Sequence, residues 1–186
     1  MKTPASNVFD AIVIGTGQAG PALAPRLSAA GRKVAVIERD RFGGTCVNDG
    51  CTPTKTLIAS AYAARIAARA AEYGVQIVGA PRVDMKRVKA RKDAVVAASA
   101  GNVEKWMRGL EKARVVRGHA RFVDARSVEV NGETLAAAQI FLDVGGRPLV
   151  PKMPGVDIVP YLTNVSMMEL DFVPEHLVGV GGSYVG

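Results

Sequence analysis

No run of about 18 uncharged apolar residues occurs in this chain, so no membrane span is expected. The first residues do not form a secretory signal either. Lys2 and Pro4 are followed by a short apolar run that Asp10 breaks, which is too short and interrupted for export. A cytoplasmic location is therefore expected. Histidine is nearly absent, with His119 and His176 alone, and cysteine is limited to Cys46 and Cys51. A zinc site takes about four ligands, and the histidines lie far from the cysteines in sequence. In the cytoplasm a close cysteine pair is more often reactive or metal-binding than a lasting structural bridge. There is no internal repeat and no low-complexity tract.

What is present suits a soluble globular protein: 186 residues, 48% hydrophobic and 22% charged. That length predicts one domain, with room for part of another. The net charge is +7 and the pI about 9.7. Such a balance admits nucleic acid, an anionic membrane, an anionic cofactor, or a chain whose acidic part is missing. The strongest case for nucleic acid is the cluster Lys86, Arg87, Lys89, Arg91 and Lys92. No aromatic residue interleaves with it, so a solvated helix face is the better reading. Neither nucleic acid nor membrane is expected as a partner.

Residues 8–14 read as a buried parallel strand. A helix over Gln18–Ala30 follows, closed by Gly31, and then a second buried strand over 33–38. This is a β-α-β unit. Helical spacing covers 52–73, with Gly74 at its end. Asp84 caps a further helix to about Ala100, Gly101-Asn102 interrupts it, and the helical pattern resumes to Lys112. Short strands are expected at 114–117, 120–123, 127–130, 133–135 and 138–143, with Asn131-Gly132 as a hairpin turn. They read as a small antiparallel meander. Pro148, Pro151, Pro154 and Pro160 mark a linker, and a last strand is expected at Leu177–Val180.

Two motifs carry chemistry. Gly15, Gly17 and Gly20 form G-x-G-x-x-G between a strand and a helix. The first glycine permits the tight turn, the second lets a pyrophosphate approach the backbone, and the third lets helix and strand pack closely. The helix N-terminus offers N–H groups to phosphate. Glu38 ends the next strand, placed for a ribose diol. The second motif is Gly-Gly-Thr-Cys-Val-Asn-Asp-Gly-Cys-Thr-Pro-Thr-Lys, residues 43–55. Two buried thiols, half of a zinc site, and a redox disulfide are the readings open for it. The redox disulfide fits best, because a thiol at a helix start gains thiolate character and a second can close the ring by exchange.

The segments Gly15–Gly20, Glu38, Gly43–Lys55, Asp143–Pro148 and Gly181–Gly186 together resemble the class I pyridine nucleotide-disulfide oxidoreductases. Cys-Thr-Pro-Thr-Lys and Tyr-Leu-Thr-Asn-Val-Ser-Met-Met are most similar to the mercuric reductase-like branch. The resemblance implies an α/β fold: a Rossmann-like FAD-binding domain over residues 1–150, with a parallel sheet, helices and the meander. Residues 151–186 would be the linker and first strand and turn of a second Rossmann-like, NAD(P)-binding domain. The sequence thus looks cut at the start of that domain, and on its own the chain is expected to be inactive or nearly so.

The resemblance further implies electron flow from NADPH or NADH to FAD, to the Cys46–Cys51 disulfide, and on to a disulfide or metal-ion substrate. Cys46 would match the interchange thiol that meets substrate. Cys51 would match the thiol nearest the flavin, and Lys55 the lysine beside the flavin ring. Cofactor contacts would fall on Gly15, Gly17, Gln18, Ala19, Gly20, Glu38, Arg39, Gly44, Thr45, Lys55, His119, Ala120, Val144 and Gly145. Val144 stands where the family has a threonine, so a hydroxyl contact is not available there. Gly181, Gly182 and Gly186 would begin the nicotinamide nucleotide site. The parent protein would be a homodimer with no resident metal. A second reading is a non-catalytic FAD-binding or redox-sensing module.

Overall fold

A computed structural model describes residues 5–182. Its regular elements are β1 (Val8–Ile14), α1 (Gly20–Ala29), β2 (Val34–Glu38), α2 (Gly44–Asn48), α3 (Cys51–Ala68), α4 (Met85–Arg108), β3 (Ala113–Arg117), β4 (Arg121–Asp124), β5 (Ser127–Val130) and β6 (Glu133–Leu142). Short 3-10 turns lie at Ala5–Asn7, Ala70–Tyr73 and Ser166–Glu169. The chain divides into two compact units, residues 1–48 with 97–146, and residues 49–96 with 147–186.

The first unit holds a six-stranded sheet in the order β3-β2-β1-β6-β5-β4. β1, β2, β3 and the second half of β6 are parallel, while β4, β5 and the first half of β6 form an antiparallel meander. Both faces of the parallel part are covered, which is why β1 and β2 read as continuous apolar runs. On one face Ile12, Ala35 and Ile37 pack with Val128, Val130 and Leu135. On the other, Val13, Val34 and Val36 pack with Ala24 of α1, Phe42 and Met107 of α4. All five residues of β2 are buried. α1 takes Pro21 in its first turn, where no N–H is needed, and closes at Gly31 with φ 75°.

Several expectations of secondary structure are corrected. The strands at 133–135 and 138–143 are one strand, β6. Its alanines are weak strand formers, but Ala136 pairs with Val8 on one side and Ser127 on the other. Ladder bonds on both edges outweigh propensity. The meander is also smaller than expected, because β3 leaves it to pair parallel with β2 through Val34↔Ala113 to Glu38↔Arg117. Finally, α4 runs unbroken through Gly101-Asn102. A helix glycine costs only about 1 kcal/mol relative to alanine, and Val103 and Met107 beyond it are anchored in the core. The Asn131-Gly132 turn has both residues at positive φ, 52° and 79°, as a two-residue hairpin of this type requires.

In the second unit α3 is followed by the turn that Gly74 ends at φ 75°. Asp84 Oδ1 accepts from the Arg87 N–H at 3.0 Å and caps the start of α4. Glu169 ties the Ser166–Glu169 turn to α4 by ion pairs to Lys89 at 3.0 Å and Lys92 at 3.8 Å. The strand expected at Leu177–Val180 is absent: these residues pair with no neighbour among the described residues. An extended segment without a ladder partner gains no sheet hydrogen bonds. Ser183 and Gly186 of the last glycine turn lie outside the described residues.

Candidate functional site

The parallel order places β1 between β2 and β6, with chain connections leaving in opposite directions. In such sheets ligands bind beyond the carboxyl ends of the strands at this switch point. The carboxyl ends here are Gly15 after β1, Glu38 of β2 and Asp143 after β6. The ladder continues past each strand: the Gly15 N–H donates to Ile37 O at 2.7 Å, and the Asp143 N–H donates to Ile14 O at 2.8 Å.

The glycine turn is built from close backbone approaches. Gly15 has φ 104°, and a Cβ there would collide with the Asp143 carbonyl oxygen. A Cβ on Gly20 would collide with the Gly15 carbonyl oxygen. Gly44, at φ 58°, brings the start of α2 so near that a Cβ would lie 2.7 Å from the Gly17 Cα. Gly17 itself faces the Asp143 carboxylate: a Cβ would stand 3.1 Å from both oxygens. Gln18 and Ala19 are exposed on the turn.

Glu38 is buried, and its carboxylate also organises the turn. Oε2 accepts from the Thr16 N–H at 2.9 Å and the Thr16 hydroxyl at 2.6 Å, and Oε1 accepts from the Asp40 N–H at 2.9 Å. Oε1 keeps capacity for a further donor. Thr16 is fully buried, and its carbonyl accepts from the Gly43 N–H at 3.0 Å. Thr16 thus links the glycine turn, β2 and the Gly-Gly start of the cysteine motif. Arg39, Thr45 and His119 are exposed, and Ala120 is half-buried beside the core. Gly145 has φ 65°, and Val144 is exposed.

Cys46 lies in α2, in the first unit, and Cys51 is the first residue of α3, in the second. Both are thiols, Cys46 half-buried and Cys51 exposed. Asn48 anchors α2: its Nδ2 donates to Phe42 O at 3.0 Å and Gly44 O at 2.8 Å. That geometry fixes the amide orientation and leaves its buried Oδ1 without a partner. Cys51 and Lys55, four residues apart, share a face of α3 and are both exposed. Pro53 between them is buried in the first helical turn, where its missing N–H costs nothing. Gly181 and Gly182 belong to the second unit, where Gly181 has φ 111°. Among the described residues no group of three or more His, Cys, Asp or Glu could hold a metal ion. No described helix is long and apolar enough to cross a membrane.

The basic cluster on α4 is partly spent within the fold. Lys92 is buried and paired with Asp93. Lys89 pairs with Asp93 at 2.7 Å, and the Arg91 guanidinium donates to Thr56 O at 3.1 Å.

Residues 9–186 match the family model described as pyridine nucleotide-disulphide oxidoreductase. The chain belongs to this family. It is 34% identical over 180 residues to a mercuric reductase of Lysinibacillus sphaericus, covering 96% of this chain and 32% of that protein. It is 36% identical over 181 residues to a dihydrolipoyl dehydrogenase of Thermus scotoductus, covering 97% of this chain and 38% of that one. Among solved structures it is similar to the HOCl-induced flavoprotein disulfide reductase RclA of Escherichia coli. That similarity has a TM-score of 0.72 and 30% identity over 89% of this chain and 35% of the other. The chain therefore spans about a third of the length of these relatives. The family implies FAD and a pyridine nucleotide.

The residues at the switch point fit the dinucleotide part of FAD. Gly15, Gly17 and Gly20 carry no Cβ where a pyrophosphate would approach, Glu38 stands at the end of β2, and Asn48 Oδ1 is a buried acceptor without a donor, while the Asp143 carboxylate already faces Gly17 and the Gly20 N–H. Thr16, Asn48 and Asp143 were not legible as site residues. Thr16 occupies a variable position of the glycine motif. Asp143 is 123 residues from the turn it touches, and no local pattern announces that contact.

Proposed function

We propose that this chain is the FAD-binding part of a flavoprotein disulfide reductase of the mercuric reductase-like branch. The parent protein passes electrons from NADPH or NADH through FAD to the Cys46–Cys51 disulfide, and on to a disulfide or metal-ion substrate. The observation that carries this reading is the meeting of the glycine turn, Glu38 and Gly44 beyond the carboxyl ends of β1 and β2, next to the helix that bears Cys46. Gly15, Gly17, Gln18, Ala19 and Gly20 hold the pyrophosphate, Glu38 and Arg39 the adenosine ribose, and the backbone at His119-Ala120 the adenine. Gly44, Thr45, Lys55, Val144 and Gly145 line the remainder of the cofactor.

When bound, FAD supplies two-electron transfer between a pyridine nucleotide and a disulfide. The chain's own step is thiol–disulfide exchange. Cys46, as a thiolate, attacks one sulfur of the substrate disulfide and releases the other as a thiolate. Cys51 then attacks Cys46 in the mixed disulfide, the second substrate thiol leaves, and the Cys46–Cys51 bond forms. Two electrons pass to the substrate. Lys55, on the face of α3 that presents Cys51, supplies positive charge beside the thiolate and the cofactor ring. Residues 1–150 act as the FAD-binding domain. Residues 151–186 begin an NAD(P)-binding domain with Gly181, Gly182 and Gly186, and the parent is a cytoplasmic homodimer.

Incubation with FAD followed by gel filtration tests the first half: the chain should keep flavin absorption. Mild oxidation tests the second. It should remove two titratable thiols per chain, which dithiothreitol restores, and either Cys46→Ser or Cys51→Ser should abolish this paired loss. A chain that keeps no flavin and shows no paired thiol loss would overturn the reading.

A further inference from the structure

α1 has a single unspent donor in its first turn. Pro21 carries no N–H, and the N–H groups of Ala22 and Leu23 donate to Ala19 O at 3.2 and 2.9 Å. The Gly20 N–H is left, and it donates to Asp143 Oδ2 at 2.7 Å. The Asp143 carboxylate also stands over Gly17, as close as a Cβ there would allow. A carboxylate at a helix N-terminus is stabilised by the free N–H and the positive end of the helix dipole. It meets there the same two attractions that a phosphate would use.

We propose that Asp143 is an internal anion that occupies the phosphate position of α1, steadying the cofactor-free chain and lowering its affinity for the dinucleotide. The inference rests on the FAD reading above. Its physical content is competition: pyrophosphate and carboxylate claim one N–H and repel each other. The dinucleotide binds by displacing the carboxylate from Gly20, or beside it at an electrostatic cost. Asp143 is a positioning and affinity-setting residue and takes no part in electron transfer.

Asp143→Asn keeps the size and an oxygen acceptor for the Gly20 N–H, and removes the charge. Two readouts should move in opposite directions. The melting temperature without cofactor should fall, because a neutral oxygen interacts less with the helix end. The affinity for FAD, followed by quenching of flavin fluorescence at fixed salt, should rise about tenfold. A merely structural role would lower both. If the asparagine variant does not fold, Asp143→Ser, which also removes the charge, is read by its FAD affinity alone, and that affinity should rise. FAD binding by the wild type with equal or weaker binding by the variant overturns the assignment of Asp143 and leaves the FAD reading standing. Absence of FAD binding by both proteins overturns the two together.

Discussion

Replacing Thr16 with valine removes one hydroxyl and almost no volume, and it tests whether Glu38 organises the glycine turn. The hydroxyl donates to Glu38 Oε2 at 2.6 Å, with Thr16 fully buried and Glu38 only 8% exposed. With both residues buried, solvent replaces the lost bond poorly. A hydrogen bond to a charged group contributes roughly 1.5–3 kcal/mol, so Thr16→Val should destabilise the chain by about that amount. For a chain of this size roughly 2–4 °C of melting temperature accompanies each kcal/mol, so a fall of roughly 3–12 °C is expected. Urea denaturation should show a lower midpoint with an unchanged slope. Combining Thr16→Val with Glu38→Gln should give a coupling of at least ~1 kcal/mol, as expected for partners in one network. A loss below about 0.5 kcal/mol, the range of ordinary surface substitutions, would refute the role given to this pair.

Gly44→Ala should be far more costly than Gly31→Ala. Both residues have positive φ, 58° and 75°, but a Cβ at Gly31 meets open space while one at Gly44 presses on the Gly17 backbone. The left-handed conformation alone costs about 1–2 kcal/mol; equal losses in urea denaturation for the two variants would contradict the close approach of α2 to the glycine turn. Acid should weaken the ion pairs that Asp93 makes along α4 with Lys89 and Lys92. Burial raises the Asp93 carboxyl, yet hydrogen bonds and charge from Lys89 and Lys92 outweigh this and hold it below its ordinary range. A depressed carboxylate contributes stability above its unfolded value and loses it as pH falls through its folded one. Amide exchange in α4 around Asp93 should therefore quicken as pH drops from about 4, after correction for intrinsic rates, and Asp93→Asn should remove that pH dependence.

The parts of the fold that could be read from sequence are those whose cause is local. β1, α1 and β2 follow from apolar runs on either side of a glycine turn, and Gly31, Gly74 and Asn131-Gly132 sit where their positive φ is needed. Asp84 caps α4 because its carboxylate reaches an N–H three residues on. The errors share a cause as well. Gly101-Asn102 and Ala136–Ala138 are locally weak in their elements, and packing of Met107 and two-sided pairing of β6 decide otherwise. Leu177–Val180 is the converse case, a strand pattern without a partner.

By itself, then, the sequence determined the glycine turn between β1 and α1 and the spacing of Cys46 and Cys51, because each is written in consecutive residues. The tertiary structure decided which strands stand beside β1, that Thr16 and Glu38 brace the turn, and that Asp143 reaches the N-terminus of α1. Those contacts join residues 22 and 123 positions apart. Only the closing of the sheet, driven by burial of both its faces, brings them within hydrogen-bonding distance.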